Sequence, residues 1–282
     1  MIFYTTHLSK KMDSQIEDFV KNNSPSLHIL TPCYGGVCNV SFMLSIINTI
    51  KLLEKYNIPV QLSTCGCDSL ISRARNNLIA RAMSDPKMTH MIFIDSDISW
   101  NPSDVLSLLM KNKLLSGGLY PMKNIMWENI LQENYVQSVL EKKNKHGYFS
   151  QMSNTSFLEA NLLKYNWNLL DKSVEIRGNL MPVRHLATGF MMIRRETILY
   201  MQKAFPSTKY TCDINFLSEK ENENAFALFD CTVIDGHYYS EDWLFSERWN
   251  KLGGKIYADV TIALTHSGMY HYKGSFLSKI MN

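Results

Sequence analysis

Met91 to Asp97 reads M-I-F-I-D-S-D, an apolar strand that runs into two carboxylates two residues apart. In an extended chain, side chains two apart point the same way, so the spacing predicts that Asp95 and Asp97 converge at the strand end. Two carboxylates so placed repel each other unless a cation lies between them. An oxygen-rich site of that kind suits Mg²⁺ or Mn²⁺. The usual task of such an ion is to neutralise phosphate, which turns attention to a phosphate-bearing ligand. A second acidic pair, Glu241-Asp242, follows Ser240 at a predicted helix start, where the macrodipole also favours carboxylates for structural reasons. Arg75 lies on a predicted helix before the Asp95 strand, and its guanidinium fork suits either a diphosphate or the Asp95 carboxylate. Arg73, two positions away, faces elsewhere on that helix.

Alternating elements position these groups. Leu27–Thr31 reads as a strand that opens into a loop at Pro32-Cys33-Tyr34-Gly35-Gly36. Met43, Ile46, Ile47, Ile50 and Leu53 recur at helical spacing, and Val60–Ser63 reads as the next strand. Ser69 is a candidate cap for a helix to about Ser84, with Ile71, Leu78, Ile79 and Ala82 as its apolar side. After the Met91–Ile94 strand, Asn101-Pro102 with Asp104 predicts a capped helix to about Asn112. Strand and helix alternating in this way predict a wound α/β sheet, whose ligands collect at the carboxyl ends of the strands. Thr31–Gly36 and Asp95–Asp97 should therefore face one crevice. Periodicity fades from Met122 to about Arg177. It returns at Pro182–Arg194, which leads into a helix near Arg195. Ala225–Val233 is a predicted strand, and Phe245, Trp249 and Leu252 form a helical face. Lys255–Ala258 and Thr261–Leu264 are predicted short strands ending at Thr265-His266.

Composition narrows the function classes. The chain has 282 residues, 45% hydrophobic and 20% charged, enough for one good core or one elaborated domain. A net charge of +3 without a long Lys/Arg run argues against a nucleic-acid partner held by bulk electrostatics. The six cysteines form no C-x-x-C pair, and Cys65-Gly66-Cys67 is too tight for an ordinary disulfide or a zinc knuckle. Reduced thiols, no apolar leader and no long apolar run point to a soluble chain in a cytoplasmic compartment, the host's if the source is a virus.

The order of four features resembles the GT-A glycosyltransferases, which use nucleotide-sugar donors. Asp95-Ser96-Asp97 is similar to their DxD motif, and Ala187-Thr188-Gly189-Phe190 to the glycine-bearing loop near the acceptor. Ser240-Glu241-Asp242 is similar to their xED motif, and His266 sits where the family carries a late histidine metal ligand. Gly236 to Gly268 and Ser72-Arg73-Ala74-Arg75-Asn76 resemble glycosyltransferase-like proteins of bacteria, phages and large DNA viruses. One D-x-D is a weak signal; four motifs in order make a fairly specific one. The resemblance implies a GT-A type fold: a single wound mixed sheet flanked by helices, with a variable acceptor-side lobe. It divides the chain into a polar lead-in (1–24), a nucleotide-binding half (25–121), a variable lobe or lid (122–180), an acceptor-binding and catalytic half (181–268) and a tail (269–282).

The implied chemistry is departure of a nucleoside diphosphate from an anomeric carbon, with a divalent ion stabilising the leaving phosphates. Asp97 and His266 would be direct ligands, while Asp95 would serve the ribose and the metal's water shell. An imidazole ligand shifts the choice from Mg²⁺ toward Mn²⁺. Asp242 would be the general base for the acceptor hydroxyl in an inverting enzyme, with Glu241 orienting the acceptor. In a retaining enzyme the pair would only bind acceptor or stabilise charge. Thr31, Tyr34, Arg75, Asp95, Ser96 and Gly189 would bind the nucleotide-sugar, a UDP-sugar by family frequency, with GDP-sugars open. The acceptor would be a glycan or a protein-linked sugar. Lys123 is a candidate contact to phosphate or acceptor. Trp127 and Trp167 could platform a sugar ring, although core packing is the commoner role for tryptophan. Two other classes stay open: a metal-dependent nuclease or phosphohydrolase, and a non-catalytic nucleotide-sugar binding module.

Overall fold

A computed structural model describes residues 10–170 and 175–270. The first nine residues of the lead-in, 171–174 of the lobe and 271–282 of the tail lie outside the described residues. The elements run α1 (Lys10–Asn23), β1 (Leu27–Cys33), α2 (Val40–Lys55), β2 (Val60–Gly66), α3 (Ile71–Met83), β3 (His90–Ile94), β4 (Ile98–Ser99), α4 (Pro102–Lys111) and β5 (Leu115–Gly118). The lobe follows as β6 (Pro121–Ile125), α5 (Tyr135–Lys145), α6 (Asn154–Leu162), β7 (Leu163–Tyr165) and β8 (Asn168–Leu169). The second half holds β9 (Leu180–His185), β10 (Phe190–Arg194), α7 (Arg195–Ala204), α8 (Glu219–Asn222), β11 (Thr232–Ile234), β12 (His237–Tyr239), α9 (Glu241–Lys251), β13 (Ile256–Asp259) and β14 (Thr265–His266).

Eight strands form one mixed sheet in the order β2-β1-β3-β10-β5-β13-β9-β8, flanked by helices, an arrangement consistent with a GT-A-like fold. The expected parallel winding holds for β1, β2 and β3; β10 then inserts antiparallel between β3 and β5. Strict alternation along the central strands splits the core into two faces. Ile92 and Ile94 of β3, with Phe190 and Met192 of β10, pack under α1, α2 and α4. Met91, Phe93, Met191 and Ile193 point the other way, under α3, α7 and α9.

Several local expectations shift. The buried stripe of α2 is Phe42, Ser45, Ile46, Thr49 and Leu53, while Met43 and Ile47 of the expected stripe are exposed. Ser45 and Thr49 are drawn inward because their hydroxyls bond Trp100: Ser45 donates to its carbonyl at 3.0 Å and its indole donates to Thr49 at 2.9 Å. Ser69 does not cap α3; the carboxylate of Asp68 accepts from the Leu70 amide instead, and Ile71 is exposed. Leu252 is likewise exposed, leaving Phe245 and Trp249 as the core face of α9. Residues 225–231 are an irregular segment, buried at Ala225, Leu228 and Phe229, rather than a strand, because Asn76 bonds both the amide and the carbonyl of Phe229. Thr261–Leu264 is also irregular. The weakly periodic lobe contains α5 and α6 and the β6–β7 pair, and Trp127 and Trp167 stand exposed on it rather than in a core. The capping box at Asn101 and Asp104 forms as expected. Among the described residues, no helix is long and apolar enough to cross a membrane.

One buried histidine gives the fold a testable pH response. His90 is held between Thr89 Oγ1 at 2.8 Å and Asn112 Oδ1 at 3.0 Å, and burial depresses its pKa to about 4, more than the Asn112 bond restores. Its folded pKa lies below the ordinary 6.5, so its contribution is complete above that value and is lost as pH falls toward 4. Urea unfolding should show stability declining over that window, by at most about 1.4 kcal/mol per pH unit for this one proton. His90→Gln should shallow the slope. An unchanged slope would refute the assignment.

Candidate functional site

Four elements deliver the predicted residues to one crevice at the carboxyl ends of β1 and β3. The strand β3 stops at Ile94, and Asp95–Asp97 form a turn closed by the Ile98 amide on the Asp95 carbonyl at 3.0 Å. That turn overturns the same-side expectation for the two aspartates, because the chain is no longer extended there. Asp95 turns toward α3, where Arg75 Nη2 donates to its Oδ1 at 3.1 Å. Asp97 turns toward β14 instead.

The register of a two-strand ladder explains how a residue so late in sequence reaches Asp97. The strand β14 pairs antiparallel with β4, setting His266 opposite Ile98, and the Ser267 amide donates to the Asp97 carbonyl at 2.8 Å. His266 Nε2 then lies 3.3 Å from Asp97 Oδ2. Its Nδ1 faces the Pro121 carbonyl at 2.8 Å, the outer-shell bond that typically orients a metal-binding imidazole. Lys123 of β6 donates to the same Oδ2 at 2.5 Å. Burial works to raise the pKa of Asp97, but the His266 and Lys123 bonds outweigh it and bring it down to about 2.

Arg75 is the buried hub of the site. Its side chain is 4% exposed, and its Nε donates to Glu241 Oε1 at 3.3 Å. Burial disfavours its charge, yet Asp95 and Glu241 more than offset this and hold it protonated. Its Nη1 is buried without a hydrogen bond. Arg73 instead forms a two-bond pair with Asp68. Glu241 thus has Oε1 engaged by Arg75. Asp242, next in α9, accepts from Ser240 Oγ at 2.5 Å and from the Trp243 amide at 2.8 Å, both on Oδ1.

Two hollows meet at the Asp97–His266 contact, Asp97 lining one and His266 the other. One, of about 310 Å³, is lined by Pro32, Tyr34, Arg75 and Asp95-Ser96-Asp97 among others. The other, of about 260 Å³, is lined by Tyr120, Lys123, Ala187, Asp242 and His266. Thr31 lines neither: it is fully buried, because β1 continues past it to Cys33 and moves the wall of the hollow to Pro32 and Tyr34. Gly189 serves a neighbour rather than open space, since a Cβ there would meet the Tyr120 ring at 2.6 Å. Tyr120 is the residue that sequence reasoning passed over. Its ring lies edge-on to His266 at 5.3 Å, and burial, with Asp95 adding to it, raises the phenol pKa. It follows a small-residue strand and precedes a proline, so neither pattern nor spacing singled it out. A larger hollow of about 780 Å³ lies at Tyr200, Lys203, Trp249 and Tyr257, but no carboxylate, cysteine or histidine lines it. It brings no carboxylate or imidazole to hold a metal.

Among the described residues, no group of three or more His, Cys, Asp or Glu side chains could hold a metal ion. The donor set that does converge is one carboxylate and one oriented imidazole. It fits an ion that takes its remaining ligands from phosphate and water rather than one caged by protein alone.

No family model matches the chain, and no curated protein matches it. Among solved structures it is similar to A197 from STIV, with 14% identity over 87% of this chain and 86% of that one and a TM-score of 0.43. Likeness at that level carries no argument about activity.

Proposed function

We propose that the chain is a metal-dependent glycosyltransferase that moves a sugar from a nucleotide-sugar donor, a UDP-sugar first and a GDP-sugar second, to a carbohydrate or glycoconjugate hydroxyl. The observation that carries the reading is the pair of hollows joined at the Asp97–His266 contact, with Asp95-Ser96-Asp97 lining one and Asp242 lining only the other. The Tyr34 side would hold the nucleoside, with Tyr34, 74% exposed, free to stack on the base. Ser96 and Asp95 would meet the ribose. Arg75 has one unbonded nitrogen for a phosphate oxygen, and Gly189 acts by admitting Tyr120. Mn²⁺, or Mg²⁺ in its place, would be held by Asp97 and His266, with Asp95 reaching its water shell, and would supply charge stabilisation for the leaving diphosphate. The acceptor would enter beside Asp242.

The nuclease and phosphohydrolase alternative, built on two cations, gains nothing from the geometry, because the described residues bring together the Asp97–His266 pair and no group of three or more candidate ligands. A binding module without catalysis would keep the Tyr34 side and have no need of Asp242. The Tyr34-side hollow draws only on 25–121, while the other draws on 25–121, the lobe and 181–268 together.

A thermal-shift screen of nucleoside diphosphates and nucleotide-sugars, with and without Mn²⁺, tests the reading. A selective donor at a hundredfold its Kd adds about 2.7 kcal/mol by mass action, a rise of several degrees that should require Mn²⁺. Asp97→Ala should abolish the Mn²⁺-dependent part while melting as wild type alone. If that variant binds donor as well as wild type, the metal assignment is wrong.

A further inference from the structure

Lys123 bonds the Asp97 oxygen that a divalent ion would use. Its ammonium lies 2.5 Å from Asp97 Oδ2, the oxygen that also faces His266 Nε2 at 3.3 Å. A small divalent ion would sit about 2.0–2.1 Å from that oxygen, and its charge would repel an ammonium held against the same atom. The lysine is laid into position: a Cβ on Gly268 would meet its Cδ at 2.7 Å and its Cε at 3.1 Å, so the arm crosses the residue that has no side chain to block it. The same strand, β6, also steadies His266 through the Pro121 carbonyl. Yet Lys123 is 43% exposed at its side chain, so its arm can leave without opening the core.

We propose that Lys123 is a resident counter-cation, a positioning residue that holds Asp97 and His266 in place without metal and must be displaced before metal binds. This rests on the metal and nucleotide reading above. The displaced ammonium needs a new anion, and an incoming diphosphate supplies one beside the ion. Metal therefore binds weakly to the free protein and strongly with nucleotide, and the two ligands become cooperative through one side chain. Linkage makes the effect reciprocal: nucleotide tightens metal by the factor by which metal tightens nucleotide.

The test is calorimetric titration of MnCl₂ into the full chain, with and without saturating UDP, for wild type, Lys123→Gln and Gly268→Ala. Without UDP, Lys123→Gln should bind Mn²⁺ roughly tenfold more tightly than wild type, within the usual range of coupling between sites. Its gain from added UDP should shrink correspondingly. Gly268→Ala keeps the charge but crowds the arm, and should shift Mn²⁺ affinity the same way by less. Mn²⁺ binding to Lys123→Gln that equals or falls below wild type without UDP would overturn the role of Lys123 while leaving the metal site standing. Absence of Mn²⁺ binding in every protein, UDP present or not, would overturn the metal reading and this inference with it.

Discussion

Arg75→Met is expected to cost about 3–5 kcal/mol of stability, the penalty for breaking a buried ion pair from one side. The substitution removes the donor between Asp95 and Glu241 and leaves two carboxylates, 29% and 14% exposed, facing the space between α3 and α9. Neither can be neutralised by its own neighbours without a pKa shift that itself costs stability. Methionine fills much of the volume and keeps contact with Phe93, over whose ring the guanidinium now lies at 5.3 Å, so lost packing is the smaller part. Arg75→Lys should recover only part of the loss, because one ammonium cannot reproduce two bonds diverging from a planar fork. Adding Glu241→Gln to Arg75→Met should restore stability relative to the single variant, since it removes one stranded charge. Urea unfolding with linear extrapolation reads all three. A single variant within about 0.5 kcal/mol of wild type would show that the Arg75 pairs contribute nothing, as exposed ion pairs often do.

How far the chain could be read before its structure depends on how local each signal was. The Asn101-Pro102 start of α4 is written within four residues, and it formed as expected. The helix at Arg195 and the parallel β1–β3 unit were equally legible, because an apolar strand followed by an amphipathic helix is a short-range pattern. Placement of side chains at strand ends was not. The inference that Asp95 and Asp97 share a side assumed an extended chain, and β3 ends at Ile94, before either of them. Thr31 failed for the opposite reason, because its strand runs two residues too long. The meeting of His266 with Asp97 depends on the β4–β14 register, which no local pattern encodes; only resemblance pointed to it. Tyr120 and the Lys123 bond depend on where β6 lies against β14, a tertiary fact. In the lobe, α6 was hidden because its apolar residues are spread around the helix, while α5, of which only Val139 is buried, has no side-chain cap to mark its start.

Asp242→Asn should lower sugar transfer by about 10²–10⁴-fold, the usual worth of a positioned general base. Asparagine is close to isosteric, and its carbonyl oxygen can keep the bonds that Oδ1 now accepts from Ser240 Oγ and the Trp243 amide. The start of α9 should therefore hold its shape, and melting should change little. What disappears is the basicity of Oδ2, the oxygen those bonds leave for an acceptor hydroxyl. The residue lines the Lys123 and His266 side of the turn and not the Tyr34 side, so affinity for UDP with Mn²⁺ should stay within about twofold of wild type, well below the 1.4 kcal/mol that a tenfold change represents. The pair of measurements separates three roles for one carboxylate. Loss of turnover with donor affinity intact is the outcome for a base that touches only the acceptor. Loss of both would make Asp242 a donor or metal group, contrary to its place in the fold. Unchanged turnover would leave the acceptor hydroxyl to lose its proton elsewhere, as in a retaining enzyme where the departing phosphate accepts it, and would reduce Asp242 to an anchor for the first turn of α9.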